Sequence, residues 1–115
     1  MNSIKRIHIV FAHWCPHCYP LTVEAFQRFS EEHGIPLNLL DIDEPEQERQ
    51  ADELVRAFGD WVDDYLIPQI FFEFEDGTIQ HGFTGYSEGV AITAERLDAL
   101  LRSSWLEELT PRAVR

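Results

Sequence analysis

Residues 13 to 18 read His-Trp-Cys-Pro-His-Cys, and they hold the only two cysteines of the chain, Cys15 and Cys18. Two thiols at this spacing suit disulfide exchange. The first attacks a disulfide, and the second reaches the mixed disulfide so formed and releases the partner. The order of the pair assigns Cys15 as nucleophile and Cys18 as resolving thiol, with two electrons and two protons moved per cycle. Selective alkylation of Cys18 before Cys15 at neutral pH would contradict that order. Two rival chemistries use the same residues. His13, Cys15, His17 and Cys18 are ligand types that zinc or an iron-sulfur cluster accepts, although no second Cys or His pair follows to complete a structural site. Two reduced core thiols with no chemistry are the plainest alternative, and that spacing beside a proline is seldom dictated by packing alone.

The residues between the cysteines tune the pair. Pro16 suits the first turn of a helix, where no N–H is needed. His17 can bring a positive charge or a hydrogen bond that favours a neighbouring thiolate. A strand leading into a helix at Cys15 would aim unpaired amides and the positive helix end at its sulfur, a setting that turns cysteines into nucleophiles at neutral pH. Stabilising the thiolate stabilises the reduced form, so the histidine should make the pair more oxidising. The formal charge of −12 opposes this.

The elements that must hold the pair follow from periodicity. Residues 6–12 are β-branched and aromatic and too short for a helix, so they predict a buried strand ending at the cysteines. From Pro16, the apolar positions Cys18, Thr22, Ala25, Phe26 and Phe29 recur at helical steps up to a stop at Gly34. Residues 35–42 predict a second strand. Asp43 and Glu46 resemble a capping box opening a helix around Pro45 that buries Ala51, Leu54, Val55 and Phe58. Residues 69–75 and 79–83 predict an antiparallel hairpin turning at Asp76-Gly77. A last helix is expected from Thr93 as N-cap, with Leu97, Leu100, Leu101, Trp105 and Leu109 on one side. The order β-α-β-α-β-β-α implies an α/β fold with a four-stranded mixed sheet flanked by helices. One domain over residues 1–110 is expected, with a frayed tail at 111–115.

With 21 acidic and 9 basic residues, the chain should repel nucleic acid and anionic membrane surfaces. No apolar stretch reaches the length of a signal peptide core or a membrane span, which points to a cytoplasmic protein, although a processed secreted chain would look alike. The acidic stretch 41–52 reads as the solvated face of a helix, since its apolar stripe continues.

Trp14-Cys15-Pro16-His17-Cys18 at a strand-to-helix junction, Ile67-Pro68 before the third strand and Thr84-Gly85 after the hairpin together resemble the thioredoxin superfamily over nearly the whole chain. That resemblance implies a thioredoxin-like fold and a thiol-disulfide oxidoreductase with no bound cofactor beyond the Cys15–Cys18 disulfide. It implies a cis bond at Pro68, packed against the cysteines, with Ile67 presenting its backbone to the substrate and Trp14, Thr84 and Gly85 beside it. Its partners would be protein or small-thiol disulfides and an upstream thiol reductant, and the chain is expected to act as a monomer. Cys-Pro-His-Cys is similar to the periplasmic disulfide-forming oxidases, whose helical insertion 115 residues cannot hold. A short chain with Cys-Pro-X-Cys is also similar to glutaredoxins. Trp14 replaces their basic residue and residues 82–88 match their glycine pair loosely, so glutathione stays open as a partner. Ile9 stands where thioredoxins bury an acid.

The segment from Asp43 to Pro68 is longer than its thioredoxin counterpart. Its bland reading is an extended helix packing Trp61, Val62 and Leu66 on the core. The sharper one is a partner-selecting rim of Trp14 and Tyr65 with Asp63 and Asp64 as charge filters. A third function class also stands: a binding module whose cysteines switch without turnover.

Overall fold

The computed structural model describes residues 3–85 and 89–110. Its centre is β1 (Ile4–Phe11), in which Ile4, Ile7, Ile9, Val10 and Phe11 are all buried. A run apolar on both faces belongs in the middle of a sheet covered on both sides, and that is its position. The sheet runs β2-β1-β3-β4, with β2 (Leu37–Asp41) parallel to β1 and β3 (Gln69–Phe74) antiparallel to it. β4 (Ile79–Thr84) pairs antiparallel with β3. The hairpin turn is tied by Asp76 Oδ1, which accepts from the Thr78 amide and hydroxyl at 2.9 and 2.7 Å. The expected mixed sheet of four strands is thus present, with helices on both faces.

One face carries Ile7, Ile9, Phe11, Ile70, Phe72 and Phe83 against α1 (Val23–His33), α3 (Val90–Leu101) and α4 (Ser104–Leu109). The other carries Val10, Leu40 and Phe71 against Ala51 and Val55 of α2 (Pro45–Phe58). Among the described residues no helix is long and apolar enough to cross a membrane.

Four expectations are corrected. The helix predicted from Pro16 to Gly34 is broken: His17–Thr22 form a short wide turn in which Tyr19 is extended (φ −135°, ψ 128°), and α1 begins only at Val23. Pro20 is the cause, since it has no N–H to donate and its ring disfavours helical geometry at the residue before it. The C-terminal stop stands as expected, with Gly34 at φ 67° donating to Ser30 O at 2.8 Å.

The capping box at Asp43 does not form. Glu44 precedes α2 without a side-chain cap bond, while Asp41 Oδ1 accepts from the Asp43 amide and Gln47 Oε1 from the Asp41 amide. These local bonds tie the turn between β2 and α2 in place of a cap. α2 ends at Phe58, so the extended helix expected through Leu66 is absent; Phe58 is 46% and Trp61 45% exposed, and Leu54 is only half buried. Gly59 stops it in extended backbone.

The last helix is two. α3 starts at Val90, three residues ahead of Thr93, and breaks after Leu101; α4 restarts with Ser103 as N-cap, its hydroxyl accepting from the Leu106 amide at 3.2 Å. Thr93 is therefore inside a helix and fully buried. Residues 86–88 and the tail 111–115, which carry part of the glutaredoxin-like match and the expected fraying, lie outside the described residues.

Candidate functional site

β1 ends at Phe11, and Ala12 leads into the cysteine turn. The Cys15 amide donates to Ala12 O at 3.2 Å, and the Cys18 and Tyr19 amides donate to Cys15 O at 3.0 and 2.9 Å. These amides cap the Cys15 carbonyl, not its sulfur. With α1 delayed to Val23, the helix end expected to face Cys15 is a short turn interrupted at Tyr19.

Both cysteines are free thiols in the core that β1 shares with α1. Cys15 is 5% exposed and Cys18 fully buried. Burial, joined by a hydrogen bond with Cys15, holds Cys18 strongly toward the protonated thiol, and a bond to the Ala12 backbone opposes this. The pair is thus asymmetric: Cys15 is buried but not wholly covered, while Cys18 is wholly covered and held as the thiol, within hydrogen-bond reach of Cys15. Such a pair can close a disulfide by loss of two electrons and two protons.

The sheet register brings the second part of the site alongside. β1 and β3 pair Val10 with Gln69, which sets Pro68 and Ile67 beside Phe11 and Ala12 at the same sheet end. The Ile67–Pro68 peptide is cis, as is Tyr19–Pro20, which the sequence reading did not anticipate. Ile67 packs against the core that contains both cysteines. Gly85 lies on Pro68: its amide donates to Pro68 O at 2.8 Å, and a β-carbon there would stand 2.4 Å from Pro68 Cδ. Only glycine allows that approach. Thr84 is buried and directed elsewhere, its hydroxyl donating to Asp60 Oδ2 at 2.6 Å and accepting from His81 Nε2 at 2.5 Å.

The surround differs from the rim expected. Trp14 stands 67% exposed, with its indole N–H donating to Asp43 Oδ1 at 3.3 Å. Tyr65 turns to α2, donating to Asp52 Oδ1 at 2.7 Å with its ring edge against Trp61, so it is no partner for Trp14. The Arg56 guanidinium sits 4.7 Å over the Trp61 ring. Asp63 and Asp64 are exposed.

The four candidate metal ligands do not converge. His13 Nδ1 lies 3.3 Å from Asp41 Oδ2, and its ring packs between Phe11 and Tyr19 at 5.1 Å each. His17 points instead to α3, its Nδ1 2.6 Å from Thr93 Oγ1. Among the described residues no group of three or more His, Cys, Asp or Glu is placed to hold a metal ion. A cleft of about 460 Å³ opens on the α2 face between His8, Asn38, Leu54, Phe58 and Glu73, and neither cysteine lines it. His8 there is already bonded to Asn38 and Glu73 at 2.9 and 2.8 Å. That cleft is therefore separate from the cysteine turn, which its chemistry alone marks as the candidate site.

The sequence reading missed Thr93 as a neighbour of the site and Pro20 as the break behind it. Pro20, two residues past Cys18, was a readable signal; the meeting of Thr93 with His17, 76 positions apart, was not. Comparison with protein-family models, curated proteins and solved structures finds no match for this chain.

Proposed function

We propose that the chain is a thiol-disulfide oxidoreductase of thioredoxin-like type, working through Cys15 and Cys18. The observation that carries this reading is the asymmetry of the pair, with Cys15 buried but 5% exposed and Cys18 wholly covered and held as the thiol, at the sheet end that also carries Ile67-Pro68. In the reductive direction the Cys15 thiolate attacks a substrate disulfide, forming a mixed disulfide and expelling one substrate thiolate, which takes up a proton. Cys18 then gives up its proton and attacks Cys15 Sγ. The Cys15–Cys18 disulfide forms, the second substrate thiol leaves, and the substrate has gained two electrons and two protons.

Ile9, at the position where thioredoxins place an acid, is fully buried and apolar and cannot accept the Cys18 proton. That proton passes to solvent as Cys18 attacks, and each departing substrate thiolate draws its own proton from solvent, so the count of two protons balances. The residues flanking the pair divide the remaining work: Ile67 offers backbone to an extended substrate segment, and Trp14 offers apolar surface to its side chains. Protein disulfides and an upstream thiol reductant are the partners this chemistry requires, and the disulfide itself is the redox group.

The test is multiple-turnover reduction of a protein disulfide under a thiol reductant, with Cys15→Ser as control. Turnover abolished in the variant supports the reading. A single stoichiometric oxidation with no turnover would leave a redox-switched binding module in its place.

A further inference from the structure

Thr93 sits in the first turn of α3 with its side chain fully buried. A buried hydroxyl needs a partner, and the one this hydroxyl takes is across the fold: His17 Nδ1 at 2.6 Å. His17 occupies the position between the cysteines, on a half-buried turn whose own geometry is interrupted at Tyr19. The Cys18 and Tyr19 amides are spent on the Cys15 carbonyl, and between Cys15 and Cys18 the His17 imidazole is the one side chain able to carry positive charge. Where such a ring is held therefore matters more here than at the start of a regular helix.

A threonine hydroxyl can both donate and accept, so it can serve His17 in either state. It donates to Nδ1 of the neutral ring, or accepts from Nδ1–H of the imidazolium. In both states Nδ1 stays on α3 and the ring plane is pinned, with Nε2 as the remaining nitrogen. We propose that Thr93 is a positioning residue that holds the His17 imidazole beside the cysteine pair and thereby sets the balance between its dithiol and disulfide forms. The proposal rests on the oxidoreductase reading above and adds the group that tunes it. The sign follows from charge. A ring kept in place between the cysteines favours thiolate, hence the reduced form, by its charge or by a hydrogen bond; a ring released by loss of the hydroxyl does so less, and the balance moves toward disulfide.

The experiment is equilibration in glutathione redox buffers with thiol trapping, on the wild type, Thr93→Val, Thr93→Ser, His17→Ala and the Thr93→Val/His17→Ala double variant. Imidazole ¹⁵N spectra of His17 are recorded alongside. Thr93→Val, close in shape but lacking the hydroxyl, should shift the exchange equilibrium about 3- to 10-fold toward disulfide, the size of one lost hydrogen bond. That is a potential more negative by about 15 to 30 mV. Thr93→Ser should restore the wild-type value, and Thr93→Val should add nothing once His17 is Ala. An unchanged equilibrium in Thr93→Val, or an equal shift with His17 absent, overturns the proposal. A wild-type pair that forms no reversible disulfide at all overturns the oxidoreductase reading and the tuning role with it. The ¹⁵N spectra separate the two failures, since they respond to Thr93→Val only where the hydroxyl governs the ring.

Discussion

Gln69 and Asp60 are tied in both directions: the Asp60 amide donates to Gln69 Oε1 at 3.0 Å, and Gln69 Nε2 donates back to Asp60 O at 3.2 Å. The same Nε2 reaches Leu66 O at 2.9 Å. Gln69 is fully buried at the start of β3, so one side chain staples both ends of the loop that runs into Pro68. Replacing it by Leu keeps the volume and orphans these loop groups. Gln69→Leu should cost about 2 to 3 kcal/mol, measured by urea unfolding, and should loosen amide exchange between 60 and 66. Unchanged exchange there would refute the staple.

Gly85 is the second support of that loop. A methyl group at this position would meet Pro68 Cδ at 2.4 Å and Ile67 O at 3.1 Å, and neither is the end of a flexible side chain. Gly85→Ala should destabilise by about 1 to 3 kcal/mol. Because the displaced atoms belong to Ile67-Pro68, disulfide reductase activity should fall further than stability does, which a rate measured well below the unfolding midpoint would reveal.

The cysteines should differ sharply in reactivity. At neutral pH iodoacetamide should label Cys15 and leave Cys18 in the folded protein, because burial keeps Cys18 protonated and fully covered. In Cys15→Ser the remaining thiol should label only under denaturant. Peptide mapping by mass spectrometry decides it, and equal labelling of both would remove the asymmetry on which the proposed roles stand.

Two groups predict the acid limb of the stability curve. Burial lowers the titration of His81, opposed in part by the charge of Asp60, so folding disfavours its protonation; stability from this source is full above its ordinary value of 6.5 and declines as pH falls below it, where the unfolded chain binds the proton more readily. Glu73 is lowered by the hydrogen bond from His8, assisted by the charges of His8, Arg6 and Lys5. Its contribution is present above the ordinary 4.5 and is lost as pH falls through the lower folded value. Urea midpoints recorded from pH 7 to 3 should therefore decline in two stages. Glu73→Gln should flatten the lower stage only.

Local pattern made much of this protein legible. The β-branched and aromatic run of residues 6–12, the Asp76-Gly77 turn, Gly34 and the apolar stripe of α1 and α2 each follow from forces acting within a few residues, and the strands and helices they predict are present. The cysteine pair was visible for the same reason: its spacing is a property of the chain. The errors fall where a local rule met a competing local bond or a break in the helix. Asp43 resembled a cap, yet the turn is tied through Asp41 and Gln47. Trp61 and Val62 kept helical spacing beyond Gly59, which had already ended the helix.

By itself the sequence determined the kinds of element, their order, and the two thiols set one turn apart, because these depend on backbone propensity, side-chain period and covalent spacing. Tertiary structure alone decided the rest of the site. Pro68 stands at the end of β1 that leads into the cysteine turn because β3 runs antiparallel to β1 in one register, Gly85 lies on Pro68 because β4 follows β3, and His17 meets Thr93 because α3 packs across the turn. Contacts between residues so distant in the chain are made only when the core closes. Which hydroxyl a histidine meets is then settled by the packing of whole elements, which no short stretch of sequence encodes.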